Sequence, residues 1–145
     1  PFGDPVRAKE QALAMHAAGA DIIFTATAGG DFGVFEAAKE NNFSVFSVDV
    51  NRCLDAPGYV IDNTLKGVDA ALLNSVDAIM SGAKSSVSAV GLKEGGMSVI
   101  ALDGDRLADS KCLIADHPDV VSKVREVAAT IIDGSLTLPD PMFAQ

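Results

Sequence analysis

Two short apolar runs, Asp21-Ile22-Ile23-Phe24-Thr25-Ala26 and Phe43 to Val48, lie close together in the first third of the chain. A strand that is apolar at nearly every position is expected to have both faces covered, as in a parallel sheet flanked by helices. Neighbouring parallel strands need a crossover, usually helical. The sequence supplies one: a glycine turn, then a short helix through Phe35, Ala37 and Ala38 that closes at Asn41-Asn42. A helix with legible ends precedes the first run. Asp4 is its N-cap, Pro5 suits its first position, and Gly19 gives a left-handed exit. Val6, Leu13 and Ala17 mark its apolar face, broadened by Ala8, Ala12 and Met15. This alternation predicts an α/β lobe built on a parallel sheet.

Beyond Asp49 a turn-rich loop, Asn51 to Gly58, leads to a short third strand at Tyr59-Val60-Ile61. A long helix is expected over about 66–81, with Val68, Leu72, Val76 and Ile79 at helical spacing. Val87–Leu92 and Met97–Leu102 read as two strands of a hairpin. Pro118 opens a last helix on Val120 or Val121, Val124, Val127 or Ala128, and Ile131. Gly134 ends it, and Thr137 to Pro141 is an extended tail.

With 145 residues, 48% of them apolar, the chain is one well-cored domain. No apolar run is long enough to span a membrane. The start, PFGDPVRAKE, carries neither an initiator Met nor an apolar signal core, so a piece of something longer is expected. Eleven basic against twenty acidic residues give a net charge of −9, which argues against a nucleic-acid partner. Cys53 and Cys112 have no metal spacing. They read most simply as inert thiols, with a disulfide or one reactive thiol left open.

In parallel sheets, ligands bind outside the carboxyl ends of the strands. The two polar strand exits here are Ala28-Gly29-Gly30-Asp31 and Asp49-Val50-Asn51. The first lacks the lysine and hydroxyl of a P-loop and is not GxGxxG; Asp31-Phe32-Gly33 matches the kinase triplet without the other kinase elements. Its glycines either make a structural turn or bring bare N–H groups to a ligand acceptor. Asp49 is either a solvated loop carboxylate or a grip on paired sugar hydroxyls, with Lys66 as partner charge. Phe2 is either a hydrophobic staple or an exposed plate for a flat ring. His16 and His117 have no nucleophile at recognisable spacing, the carboxylates are not paired for acid/base work, and no metal cluster is present. An enzyme is disfavoured, and neither cofactor nor metal is expected.

A set of short motifs recurs in order: Phe2-x-Asp4-Pro5, Gly19-Ala20-Asp21-Ile22-Ile23-Phe24, Ala28-Gly29, Gly33-Val34-Phe35-x-Ala37-Ala38-Lys39-Glu40, Val48-Asp49, Lys66-x-Val68-Asp69 and Ile131-Ile132-x-Gly134. Together they resemble the carboxyl-terminal half of the basic membrane protein family of substrate-binding lipoproteins, the purine-nucleoside-receptor type. The resemblance runs from residue 1 to about 140. It implies one Rossmann-like lobe of a type I periplasmic binding protein, which closes on its ligand against an amino-terminal lobe that this chain lacks. It also implies an ABC importer permease as partner, a purine nucleoside as ligand, and a lipid anchor on the periplasmic or extracytoplasmic face of the membrane. Phe2 would stack on the purine, Gly29 with Gly30 would approach the sugar, Asp49 would hold ribose hydroxyls, and Lys66 would orient Asp49 and contact the ribose. The chain departs from the family pattern at Gly30-Asp31-Phe32, where Asp31 would add a ribose contact or narrow the pocket. It departs again at Asn51-Arg52, where Arg52 brings positive charge. An uncovered cleft face would favour dimers. Two rival readings are a ligand-sensing domain of a transcription regulator and a free-standing flavodoxin-like signalling domain.

Overall fold

Asp4 opens the first helix, α1 (Pro5–Ala17): its carboxylate accepts the Arg7 N–H at 3.1 Å, and Pro5 follows in the first turn. Gly19, at φ +102°, turns the chain out of it. The computed structural model describes residues 2–84 and 90–139. In chain order the further elements are β1 (Ile22–Phe24), α2 (Asp31–Asn41), β2 (Ser44–Asp49), β3 (Val60–Lys66), α3 (Val68–Met80), β4 (Met97–Val99), α4 (Gly104–Leu107) and α5 (Pro118–Ile132). The strands form one sheet in the order β1-β2-β3-β4, parallel across the first three and antiparallel between β3 and β4. The expected mixed α/β architecture is therefore present.

The face of α1 differs from its sequence pattern. Its buried residues are Ala8 and Ala12, while Val6 and Met15 are exposed. Small side chains let α2 come close: a Cβ on Gly33 would collide with the Pro5 carbonyl oxygen. Lys9 spans the two helices, with its ammonium 2.8 Å from Glu40 and 3.3 Å from Glu36. Asn42, at φ +57°, caps α2 in the left-handed region that asparagine tolerates. Ile23, Phe35, Val45, Val60 and Ile100 form the centre of the core. Complete burial of Phe35 alone contributes roughly 1.5–3 kcal/mol.

Three expectations need correction. β1 is covered on one face only, for Ile22 and Phe24 are exposed, and Phe24 stacks on Phe46 at the sheet surface. β3 is seven residues long rather than three. The sequence reading ends this strand at Ile61, but the register slips between Val45 and Ser47 of β2, and this irregularity brings Asp62 and Asn63 inside together. Asp62 accepts the N–H groups of Asn63, Ile100 and Ala101 at 2.6, 2.9 and 3.1 Å. Burial nevertheless holds its carboxyl above the usual aspartate range, against the pull of those three donors.

The third correction concerns the hairpin. Residues 85–89 lie outside the described residues, 90–92 are irregular, and Met97–Val99 pairs with β3 instead. Ile100 to Leu102 is a turn of 3-10 helix rather than strand. α3 forms as expected, yet none of its residues is buried: Val68, Leu72, Val76 and Ile79 all face outward. α5 buries Val121 and Ala128, and Gly134 at φ +81° ends the segment. The expected tail is described only as far as Pro139.

Candidate functional site

Because β1, β2 and β3 are parallel, their carboxyl ends share one end of the sheet. Asp49 ends β2, Lys66 ends β3, and their registers place Asp49 beside Leu65. The Lys66 ammonium lies 2.6 Å from the Asp49 carboxylate. Both side chains are about half exposed, so the pair is held at the surface and contributes only about 0–1 kcal/mol to stability. It is better suited to presenting one carboxylate in a fixed pose.

At the β1 exit, Ala28 has φ +55° and begins a 3-10 turn that runs into α2. Asp49 has φ +74°, and the Val50 N–H donates to the Val48 carbonyl at 3.0 Å across it. That is a γ-turn of the rare, strained hand. Non-glycine residues in the left-handed region thus stand at two adjacent strand ends. Such strain persists only where the surroundings enforce it, and it gathers at functional sites.

Phe2 reaches the same rim. The Gly3 N–H donates to the Thr27 carbonyl at 3.1 Å, and a Cβ on Gly29 would sit 3.6 Å from Gly3 Cα. Phe2 is 85% exposed, so it does not act as a staple on α1; its ring is free to stack. Gly29 is likewise exposed. Phe2 and Gly29 form one neighbouring pair and Asp49 and Lys66 another, both at the carboxyl end of the sheet.

Gly30 and Asp31 do not join them. Gly30 is buried, its N–H already donates to the Thr27 carbonyl, and a Cβ there would press on Thr27 and Ala8. Asp31 is 1% exposed. One of its oxygens accepts from the Thr25 hydroxyl, the Thr27 N–H and the Thr27 hydroxyl at 2.7, 2.8 and 2.7 Å. The extra carboxylate therefore ties the β1 exit to the first turn of α2, where a negative charge also suits the helix end. That buried carboxylate oxygen is taken up within the protein. Arg52 is engaged as well: it pairs with Asp55 at 3.3 Å and lies over the Phe32 ring, 5.3 Å from its centroid.

Cys53 and Cys112 form a disulfide across 59 positions of sequence, which corrects the reading as two inert thiols. Sequence spacing carried no sign of it, nor of the hydrogen bonds that Thr25 and Thr27 make to Asp31 and Asn63 makes to the Arg52 N–H. Polar residues inside strands, such as Asn63 between Asp62 and Thr64, were the available signal. Among the described residues no group of His, Cys, Asp or Glu could hold a metal ion, and no helix is long and apolar enough to cross a membrane.

A family model described as Bmp, ABC transporter substrate-binding protein PnrA-like, matches residues 1–131. The chain belongs to this family. Bmp proteins are substrate-binding proteins rather than enzymes. Basic membrane protein D of Borreliella burgdorferi (strain JD1) is 27% identical over 145 residues, covering 95% of this chain and 40% of the relative. The CD4+ T-cell-stimulating antigen of Listeria monocytogenes serovar 1/2a is 26% identical over 147 residues, covering 96% and 41%. A crystal structure of an ABC transporter system solute-binding protein from Aeropyrum pernix K1 shares the fold, with a TM-score of 0.72 and 21% identity over 97% of this chain and 46% of that one. The chain thus spans about two fifths of the length of the curated relatives it matches.

Proposed function

We propose that this Bmp-family chain is one lobe of a two-lobed solute-binding protein serving an ABC importer, and that its strand-end rim forms one wall of a purine-nucleoside site. The observation that carries the reading is the Asp49–Lys66 pair at adjacent strand ends, with Phe2 and Gly29 at the same end of the sheet. The Asp49 oxygen that meets Lys66 is covered, which leaves the lone pairs of its other oxygen for two neighbouring hydroxyls, the pattern a ribose presents. An exposed ring beside a bare glycine backbone suits a flat base next to that sugar, and one base–aromatic stack contributes roughly 1–3 kcal/mol.

The remaining wall comes from a second lobe. The uncovered apolar face of α3 and the fraction of its relatives that the chain spans both support this. A second copy of the chain would compete for the same face. Work on the extracytoplasmic side follows from the family, and a buried disulfide suits an oxidising compartment. Lipid anchoring belongs to the same proposal.

A thermal-shift comparison of inosine, free hypoxanthine and ribose on this chain at millimolar ligand tests it. Inosine should raise the melting temperature most. Stabilisation by ribose alone removes the purine from the reading, and stabilisation by none of the three removes the nucleoside site.

A further inference from the structure

The loop behind Asp49 is fastened by Asn63, Asn51 and the Cys53–Cys112 disulfide. Asn63 lies on β3 opposite Ser47 and is fully buried. Its side-chain oxygen accepts the Arg52 N–H at 3.0 Å, three residues past Asp49. Its amide nitrogen meets Cys53 Sγ at 3.0 Å and Cys112 Sγ at 3.6 Å. Asn51 accepts the Cys53 N–H at 2.9 Å and donates to the Ser110 carbonyl at 3.4 Å. The chain therefore leaves β2 at Asp49, reverses through a strained γ-turn, and is caught within four residues by one buried side chain and one disulfide. A strained residue stays in its well only while the structure around it enforces that state.

We propose that Asn63, with the Cys53–Cys112 disulfide it contacts, is a positioning group that holds Asp49 in its strained turn and so sets the geometry of the ligand rim. The inference rests on the nucleoside-site reading for its consequence in binding, but not for its consequence in backbone conformation. Without the Asn63 acceptor, Arg52 loses its tether and the turn relaxes toward negative φ at Asp49. The carboxylate then leaves the pose in which Lys66 meets it. Asn63 and both cysteines are buried.

The test uses the isotope-labelled 145-residue chain and Asn63→Ala, with Val121→Ala as a control that loosens the core at α5. Two readouts are taken beside thermal stability. One is the one-bond Cα–Hα coupling of Asp49, which distinguishes positive from negative φ; the other is inosine affinity by chemical-shift titration. In Asn63→Ala the coupling should move toward its negative-φ value and inosine should bind about tenfold more weakly. Val121→Ala should leave both unchanged. Should Asn63→Ala fail to fold, Cys53→Ala with Cys112→Ala carries the same readouts and should shift both in the same direction. A coupling that stays at the wild-type value in the folded variants overturns the proposal, as does unchanged affinity with a shifted coupling. If the wild-type chain shows no inosine response, the nucleoside reading fails, and the Asp49 coupling alone still decides the positioning role.

Discussion

Replacing Asp31 with alanine separates a structural carboxylate from a ligand-binding one. The substitution removes the acceptor shared by the Thr25 hydroxyl, the Thr27 N–H and the Thr27 hydroxyl, in a site that is 1% exposed. Each buried donor left without a partner costs about 1–3 kcal/mol. The Thr25 and Thr27 hydroxyl oxygens already lie 3.5 Å apart and can partly satisfy each other. The loss of a negative charge in the first turn of α2 adds about 0.3–1 kcal/mol. A net destabilisation of about 3 kcal/mol follows, a large share of the roughly 5–15 kcal/mol that holds a domain of this size. The melting temperature should fall by about 10 °C. Equilibrium unfolding in guanidinium chloride, followed by circular dichroism, measures the change, and Asp31→Asn should lie between wild type and alanine because its carbonyl still accepts. A loss below about 1 kcal/mol, in a protein whose nucleoside affinity nonetheless drops, would refute the reasoning and return Asp31 to the ligand site.

Gly33→Ala should destabilise by about 1–3 kcal/mol or more, because its Cβ meets the Pro5 backbone and α1 must shift; unchanged denaturation midpoints would contradict that packing. Joint replacement of Cys53 and Cys112 by alanine opens a link across 59 positions and should cost about 4 kcal/mol by chain entropy, read from urea unfolding against the oxidised protein. Carbon-13 titration of Asp62 should give a midpoint above that of an ordinary aspartate, since burial disfavours its charge. The folded chain then holds this proton more tightly than the unfolded chain, so the Asp62 contribution to stability falls as pH rises through that window and is regained on acidification. A midpoint at or below the ordinary value would contradict its burial.

Local signals were the legible ones. Asp4, Pro5 and Gly19 act on their own backbone neighbours, so the ends of α1 follow from the sequence. Asp49 was legible as a strand end because parallel strands bring their carboxyl ends together regardless of detail, whereas Lys66, expected at the start of the long helix, instead ends β3, where it meets Asp49. What failed depended on partners distant in sequence. Asp62-Asn63-Thr64 lies beyond the expected end of its strand, and Ile100 and Ala101 supply N–H donors to Asp62 from 38 and 39 positions away. The Asp31 pairing is the exception, since Thr25 and Thr27 take up its carboxylate from only six and four positions away, and the expectation missed them because a strand-end hydroxyl reads equally as a ligand group. The antiparallel pairing of β4 with β3 and the disulfide are likewise long-range facts, which composition and spacing do not carry.

Chemical-shift mapping of the labelled chain with millimolar inosine addresses the rim directly. The account predicts weak, saturable shifts at Gly3, Gly29, Asp49, Val50 and Lys66, little change along α5, and loss of the response in Asp49→Ala. Shifts confined to other surfaces, or a response that survives removal of the Asp49 carboxylate, would contradict it.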